Sequence, residues 1–340
     1  MSSTISFLSF KNEVKSLFLP SNKVLPWGED NLQPFQYLDL YYKVPEHTSS
    51  IDFITNTVVG EGVNTDKIDY WLIKKLTNDF NLFGGFAIQV IKARNGGATL
   101  SYLDVTKCRY SVDKKHIGYA EDGWDKYKQE YTWYKITDSL DAEGIFLYKN
   151  NNSRGLYPTP YYYSSVTSLN TMSYVSEYHN NNASNGFSPS VVINFNNGVP
   201  DDTTQKKIEK GIEQKFTGEK GQKFILSFNE SPKTKTTIEP LQNDNLDQKF
   251  ADLQKFLQGQ IIIGHKITSG TLIGVKQENT GFSKQEYDES LEVFREIVIN
   301  GIRKEIEYAL SLLTKIEVKF LDADSIVENN TINKEGGVNE

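Results

Sequence analysis

The sequence is short of cysteine and of net positive charge, and both shortages narrow what the protein can be. Cys108 is the single cysteine among 340 residues, so neither an internal disulfide nor a cysteine-based zinc site is possible. The 37 lysines and arginines are outnumbered by 44 aspartates and glutamates, for a net charge of -7. This balance argues against a protein whose main task is to hold phosphate groups. Any contact with nucleic acid should therefore be loose or local.

Long apolar runs are missing as well. No stretch approaches the roughly 20 residues that a membrane-spanning helix needs. Near the N-terminus, Lys11, Glu13 and Lys15 interrupt the apolar residues around them, so no signal-peptide core forms there. We therefore expect synthesis in the cytoplasm.

Catalytic and metal-binding motifs are also absent. The histidines are far apart in the sequence, and none forms an H-x-x-H or H-E-x-x-H pair. There is no G-x-S-x-G motif, the paired glycines lack the context of a phosphate-binding loop, and Cys108 lies in a strand-like run that favours a buried small hydrophobe. We predict no enzymatic activity, no cofactor and no metal. The histidines are His47, His116, His179 and His265, and the glycine segments are Gly60-Glu61-Gly62 and Gly84-Gly85.

What the sequence does have is strong helical periodicity between Asp244 and Leu313. A helix that begins near Leu246 is followed by a loop rich in Gly, Ser and Thr, and then by a much longer helix over 284–313. At about 1.5 Å per residue the longer helix would extend roughly 45 Å, which predicts an elongated subunit or an assembly. Its apolar residues repeat every three to four positions, which predicts one buried stripe: Tyr287, Leu291, Phe294, Val298, Ile302, Ile306, Leu310 and Leu313.

The remaining sequence combines helical and strand patterns, so the predicted fold class is α+β. Helical patterns occupy 33–43, 46–59 and 66–80, each bounded by Pro, Gly or Asn. From Phe86 the period becomes that of strands, with a β-hairpin whose turn is Asn95-Gly96-Gly97. The further predicted elements are strands over 108–112, 129–136 and 144–148, a serine-rich helix over 161–179, and an αβ insertion with strands over 191–195, 223–228 and 236–241 and a helix over 202–216.

Three short segments, taken with the order of the elements, resemble the portal proteins of tailed bacteriophages. Pro26-Trp27-Gly28-Glu29-Asp30-Asn31 resembles the segment that opens many compact portals, and Gly155 with Pro158 resembles the start of their first stem helix. The segment 218–226 resembles the turn and strand that follow the clip helix. The similarity runs from about residue 26 to residue 313, and it is carried by the ordered set of motifs rather than by any one of them.

The resemblance implies a subunit with an α/β wing, two stem helices that flank a small αβ clip, a tunnel loop and a long C-terminal helix. The proline that portals often carry midway in the long helix is absent, and Asn300-Gly301 can provide a bend there instead. The valine-proline that often closes the second stem helix is absent from Gly264-His265-Lys266-Ile267. The implied divisions are an N-terminal arm (1–30), the wing (31–159), the first stem helix (160–185), the clip (186–243), the second stem helix (244–265), the tunnel loop (266–283), the long helix with a returning wing strand (284–322) and a flexible tail (323–340).

For function, the resemblance implies a structural ring of usually twelve copies, a head-to-tail connector at one capsid vertex of a virion. Such a ring contacts the major capsid protein, docks the large terminase and then the tail connector or adaptor, and passes double-stranded DNA non-specifically during packaging and ejection. A closed ring needs heterologous interfaces, and we expect the serine-rich helix and the apolar stripe of the long helix to supply them. An acidic protein suits a channel, because each neutralised phosphate would strengthen binding to DNA that must slide.

Two sets of side chains are the predicted sites. In the tunnel loop, Lys266 and Lys276 would make weak, transient contacts with phosphates, and the alternative interpretation is that they are ordinary exposed lysines. A different class of function is a carbohydrate- or peptide-binding virion or surface module that uses Tyr161-Tyr162-Tyr163 and the β-rich region. The predicted tunnel-loop residues are Lys266, Thr268, Ser269, Gly270, Lys276, Gln277 and Gly281, and the predicted clip residues for motor and connector docking are Lys206, Lys207, Lys210, Phe216 and Lys220.

Overall fold

The computed structural model describes residues 4–7, 23–94, 96–124, 130–184, 191–195, 200–216, 224–228, 246–275 and 283–322. The chain divides into two compact units. The larger unit comprises Leu17–Thr171 and Lys255–Glu340, and the smaller unit comprises Met1–Ser16 and Met172–Gln254. Two helices, α4 (Val166–Ser184) and α6 (Leu246–Gly264), contribute residues to both units.

Three helices open the larger unit, and local sequence sets their ends. They are α1 (Gln33–Lys43), α2 (Pro45–Val59) and α3 (Tyr70–Phe83). The side chain of Asp69 accepts a hydrogen bond from the backbone N–H of Leu72 at 2.8 Å, which caps the start of α3. Gly84 ends α3 with a φ of +85°, a conformation that glycine adopts without steric cost. All three predicted helices are confirmed, although the third begins and ends later than its pattern indicated.

Two three-stranded antiparallel sheets complete the β-rich part of the larger unit. The first has the order β3-β2-β7, from β2 (Gly85–Lys92), β3 (Ala98–Leu103) and β7 (Gly144–Lys149), and the second has the order β4-β5-β6, from β4 (Cys108–Tyr110), β5 (His116–Tyr119) and β6 (Thr132–Lys135). The predicted hairpin is confirmed, since Ala87 pairs with Leu103 and Lys92 with Ala98. Strand β5 was not predicted, because four residues that include Gly118 are too few to show a period.

A long helix forms one wall of the core of the larger unit. It consists of α7 (Lys284–Phe294), a π-helical segment (Arg295–Ile299) and α8 (Asn300–Thr314). The predicted apolar stripe is confirmed, because its members from Phe294 to Leu313 are buried and Tyr287 and Leu291 pack partly buried against the same core. Asn300 and Gly301, where a bend was expected, belong to α8, and the π-helical segment ends one residue before them.

The burial of this stripe corrects one prediction. The stripe belongs to a single apolar cluster with this chain's own Val58, Leu76 and Phe86, so the core of the same chain covers most of it. Periodicity identified the buried face of the helix but not the surface that covers it. The serine-rich helix α4 differs, because Tyr174 and Tyr178 on it are 66% and 45% exposed.

The smaller unit contains a mixed sheet. Strands β1 (Thr4–Phe7), β8 (Val191–Phe195) and β9 (Phe224–Phe228) form it in the order β1-β9-β8, with β9 antiparallel to β1 and parallel to β8. Helix α5 (Asp202–Phe216) connects β8 to β9, as a parallel pair requires a crossover. The predicted strands 191–195 and 223–228 and the predicted helix 202–216 are confirmed. Strand β1 was not predicted, and the predicted strand 236–241 and tail 323–340 lie outside the described residues.

Candidate functional site

Four predicted tunnel-loop residues lie in the segment after α6. Lys266 has a left-handed backbone, with φ +58°, and an exposed side chain. Its neighbour Ile267 is buried in the apolar core together with Leu272. The hydroxyl of Thr268 donates a hydrogen bond to the backbone carbonyl of Ser290 at 2.9 Å. This hydrogen bond attaches the start of the segment to the long helix.

A short 3-10 turn, Gly270–Ile273, continues the segment. The side chain of Ser269 accepts a hydrogen bond from the N–H of Thr271 at 3.3 Å, and the carbonyl of Gly270 accepts one from the N–H of Val275 at 2.9 Å. Residues 266–275 thus form a hydrogen-bonded segment anchored in the core. The other predicted tunnel-loop residues, Lys276, Gln277 and Gly281, lie outside the described residues.

Lys266 belongs to a cluster of opposite charges and aromatic rings. Its Nζ lies 5.0 Å from the centre of the Tyr161 ring, which is a cation–π distance. The hydroxyl of Tyr161 donates to Oε1 of Glu305 at 2.5 Å, and Oε2 of Glu305 accepts the N–H of Asn151 at 3.2 Å. Tyr161 therefore contacts one positively and one negatively charged side chain.

A cavity of about 240 Å³ is lined by this cluster. Its walls come from α2, α3, the residues before α4, the residues after α6 and the long helix. Lys266 is exposed and Ile297 is 71% exposed, so the cavity reaches the protein surface. The lining residues are Ile51, Ile54, Asn81, Tyr161, Tyr162, His265, Lys266, Ile297, Val298, Gly301, Ile302 and Glu305.

Two histidines meet beside this cavity. Nδ1 of His47 in α2 lies 2.9 Å from Nε2 of His265, and the ring of Tyr162 packs against both, with centroid distances of 4.5 and 5.0 Å. Burial lowers the pKa of His265 to about 3. Burial and, secondarily, the neighbouring His265 hold the pKa of His47 well below its usual range. Both rings are therefore neutral at neutral pH, and sequence reasoning missed the pair because 218 residues separate its members.

The two predicted stem helices approach each other closely at a pair of small residues. A Cβ atom added to Gly264, the last residue of α6, would lie 1.7 Å from Oγ of Ser165, just before α4. The same Ser165 hydroxyl donates to the carbonyl of Gln260 at 3.1 Å. The small side chain of Ser165 therefore permits close approach by α6.

The described clip residues lie on α5 in the smaller unit. Lys206, Lys207 and Lys210 are all exposed. The side chain of Gln205 is buried and donates to the carbonyl of Pro200 at 2.9 Å, which fixes the start of the helix. Phe216 ends α5, but its side chain and all of Lys220 lie outside what the structure describes.

The tyrosine run that suggested a carbohydrate- or base-stacking surface is mostly occupied by internal contacts. Tyr162 is buried, and its hydroxyl donates to the carbonyl of Leu82 at 2.7 Å. The hydroxyl of Tyr161 is held by Glu305. Of the three rings, Tyr163 alone is exposed, at 51%. One accessible ring does not make a stacking platform.

Cys108 is buried in β4, as predicted, and burial raises the pKa of its thiol, so it is a packing residue rather than a nucleophile. Within the described ranges, no three His, Cys, Asp or Glu side chains are grouped as metal ligands. None of the helices in those ranges has the length and apolar character needed to cross a bilayer.

Comparison with known proteins gives matches in structure but none in sequence: no family model and no curated protein matches. A chain from the neck of a native gene transfer agent particle, computed with C12 symmetry, aligns with a TM-score of 0.55 and 12% identity over 93% of this chain and 92% of that chain. A chain from the virion of a native gene transfer agent particle aligns with a TM-score of 0.54 and 13% identity over 93% and 91%. The protein has the fold of these particle chains.

An HK97 family phage portal protein from Corynebacterium diphtheriae also aligns, with a TM-score of 0.48 and 7% identity over 86% of this chain and 96% of that chain. The fold shared with the neck and virion chains agrees with the resemblance inferred from the sequence. The chains with TM-scores above 0.5 are parts of gene transfer agent particles.

Proposed function

We propose that this protein is a portal subunit, copies of which close into a ring at one capsid vertex so that double-stranded DNA enters and leaves through the channel. The fold match to the neck chain of a particle computed with C12 symmetry carries the proposal, because it covers more than nine tenths of both chains. The proposed assembly is a ring of about twelve copies in the virion, in contact with the major capsid protein.

Exposed apolar side chains support assembly of the subunit. Tyr42, Trp71, Ile263 and Ile297 are 74%, 68%, 67% and 71% exposed. Single exposed apolar residues are normal, but several large ones on one unit favour a surface that other subunits cover. A ring needs two different complementary faces on each copy. The four exposed side chains lie on different elements, so they can belong to two such faces.

The charges of the protein support DNA passage without retention. Each phosphate that a protein neutralises strengthens its hold on DNA, and this chain has a net charge of -7. The described lysine of the tunnel loop, Lys266, shares its cluster with Glu305. In the proposed ring the loop 266–283 reaches the channel, and Lys276 makes weak phosphate contacts. In this role the loop lets DNA pass and does not hold it.

The clip provides the proposed docking surface for the packaging motor and later for the tail connector. Lys206, Lys207 and Lys210 are exposed on α5, and a cluster of lysines favours encounter with an acidic partner surface. We assign Phe216 and Lys220 to the same docking face. Its successive partners are the large terminase and then the connector.

The decisive experiment is native mass measurement with negative-stain imaging of the purified protein. A large closed ring with a central hole is expected, and a monodisperse monomer at micromolar concentration would overturn the proposal. Channel function is then tested with Lys276→Glu, for which we expect intact rings but a lower yield of packaged DNA. Lys67→Glu is the matched control, because Lys67 is an exposed lysine outside the tunnel loop and the clip; equal loss of packaging in both variants would argue against a specific channel role.

A further inference from the structure

The long helix carries a second line of residues beside its buried stripe. Each member comes one position before a buried residue, so the line follows the stripe along the helix. Val293, Ile297, Tyr308 and Leu312 in this line are 44%, 71%, 64% and 40% exposed. Counting in steps of three or four residues from Val293 would have found this line in the sequence. The full line is Val293, Ile297, Gly301, Glu305, Tyr308 and Leu312.

The cavity of about 240 Å³ lies along the middle of this line. Ile297, Gly301 and Glu305 all line the cavity, and Gly301 has no side chain to fill it. A Cβ atom added at Gly301 meets no atom within 4 Å. The gap in the apolar line and the opening of the cavity therefore coincide.

The volume of the cavity indicates the size of what fills it. A cavity of about 150 Å³ lined by apolar side chains holds one benzene molecule, whereas pockets for drug-sized ligands measure about 300–1,000 Å³. At about 240 Å³, the cavity suits one large side chain and is small for a nucleotide or a sugar chain.

The lining indicates the chemistry of the occupant. Ile51, Ile54 and Ile302 provide apolar walls, while Lys266 and Glu305 supply one charge of each sign. The carboxylate of Glu305 would repel a phosphate group, which disfavours nucleic acid. An apolar or aromatic side chain with a polar tip fits this combination.

We infer that this cavity is a socket that receives a large, aromatic side chain from a second copy of this chain, so that the exposed line of the long helix forms one face of the contact between subunits. The inference rests on the proposed ring. A heterologous contact brings the socket of one copy against a different face of the next copy. Tyr42 on α1 and Trp71 on α3 are exposed aromatic residues on other elements and have the required size.

A size series at Gly301 tests the socket. Alanine and phenylalanine both favour a helix more than glycine does, and the space above Gly301 accepts a larger side chain, so Gly301→Ala and Gly301→Phe should both fold with unchanged or higher melting temperature. Gly301→Ala should form rings normally, whereas Gly301→Phe fills the socket and should raise the concentration needed for assembly at least tenfold. The matched control is Gly259→Phe, because a Cβ at Gly259 also meets nothing within 4 Å and Gly259 does not line the cavity.

Thiol labelling provides a second measurement. In Gly301→Cys the new thiol stands at the socket, while the natural Cys108 is buried. We expect maleimide to modify Cys at this position at least tenfold more slowly in rings than in unassembled subunits, with no such protection in Lys115→Cys, at an exposed lysine between β4 and β5.

The possible outcomes distinguish the two proposals. Absence of rings from the unaltered protein contradicts the proposed function. Rings that form equally well with Gly301→Phe, or a thiol that is equally reactive in rings and subunits, contradict the socket alone. Loss of rings in Gly259→Phe to the same extent as in Gly301→Phe would also contradict it, because bulk on any helix would then have the same effect.

Discussion

Nδ1 of His47 lies 2.9 Å from Nε2 of His265, and this buried contact joins α2 to the end of α6. One ring nitrogen must donate and the other must accept, so the contact requires at least one neutral ring. Nε2 of His47 is buried and has no hydrogen-bond partner among the described residues. The pair therefore favours the neutral state of both rings.

The first prediction is that acidification destabilises the larger unit through this pair. The folded pKa of His265 is lowered to about 3 from 6.5, and that of His47 is lowered well below 6.5. The unfolded chain therefore binds more protons between about pH 6.5 and pH 3. The contribution of the pair to the free energy of unfolding is fully present above about pH 6.5. It falls as the pH decreases through this window, by up to about 1.4 kcal/mol per pH unit for each histidine. Denaturant unfolding at pH 7.0 and 5.0 measures the difference.

The control for this prediction replaces both rings. In His47→Phe with His265→Phe, the pH-dependent part of the loss should largely disappear, while His116→Phe, at a partly exposed histidine in β5, should retain it. An unchanged pH dependence in the double variant would show that other groups are responsible.

The second prediction concerns the contact of Gly264 with Ser165. In Gly264→Ala the added methyl group would lie 1.7 Å from Oγ and 2.6 Å from Cβ of Ser165, so the helices must separate. We expect a loss of roughly 1–3 kcal/mol in the free energy of unfolding, as for overpacking elsewhere. Thermal and denaturant melts measure it.

Two further variants make this test specific. Adding Ser165→Gly to Gly264→Ala removes the colliding side chain and should recover part of the loss. Gly259→Ala, in the same helix but with open space above it, should be neutral or stabilising by about 1 kcal/mol. If Gly264→Ala were as stable as Gly259→Ala, the close approach of the helices would be wrong.

The third prediction concerns Arg109, a buried residue that contacts both ends of the segment Trp27 to Asn31. Nε of Arg109 donates to Oδ1 of Asn31 at 2.5 Å, and Nη1 and Nη2 donate to three backbone carbonyls at 2.7–3.1 Å. The guanidinium lies 5.5 Å from the ring centre of Trp27, which stacks on Tyr157. Burial lowers the pKa of Arg109 to about 10, so it stays charged at neutral pH.

Lysine cannot reproduce this planar set of donors. Arg109→Lys should therefore lose at least about 3 kcal/mol in the free energy of unfolding, since several charged hydrogen bonds are broken together. Arg154→Lys, at an exposed arginine, should change stability by less than about 0.5 kcal/mol. Denaturant midpoints compare the two, and similar values would show that the cage around Arg109 is not stabilising.

Much of the fold could be predicted from sequence because helices and strands bury faces at fixed periods. The bounds of α1 and the buried stripe of the long helix followed from periodicity and from residues that end helices. Within the candidate site, periodicity identified the segment after α6 as a loop. It did not reveal that Ile267 and Leu272 anchor this loop in the core, because contacts between distant segments leave no periodic trace.

The π-helical segment shows what closer attention to spacing could have found. From Phe294 to Leu310 the buried residues follow one another in four successive steps of four. At about 100° per residue, 16 residues rotate about 1,600°, which overshoots four turns by about 160°. A regular α-helix would have turned the stripe away from the core. One extra residue in a wider turn removes most of this excess, and the structure places that turn at Arg295–Ile299.

The fourth prediction uses this register. Deleting exposed Glu296 removes the extra residue from the π-helical segment, so the helix can continue as a regular α-helix with its buried residues still facing the core. We expect folded protein with a loss below about 2 kcal/mol. Deleting exposed Lys304 in α8 instead rotates Ile306 to Leu313 by about 100°, which withdraws several side chains worth about 1.5–3 kcal/mol each, and this variant should fail to fold.

Circular dichroism and unfolding midpoints compare the helix content and the stability of the two deletion variants. Equal destabilisation would mean that the wide turn does not accommodate the extra residue. The same variants bear on assembly. Without Glu296 the position of Ile297 relative to Gly301 changes, because Ile297 lies within the wide turn and Gly301 lies two residues after it, and both line the cavity. A subunit that folds normally but forms rings poorly would therefore tie the π-helical segment to the contact between copies rather than to the stability of the core.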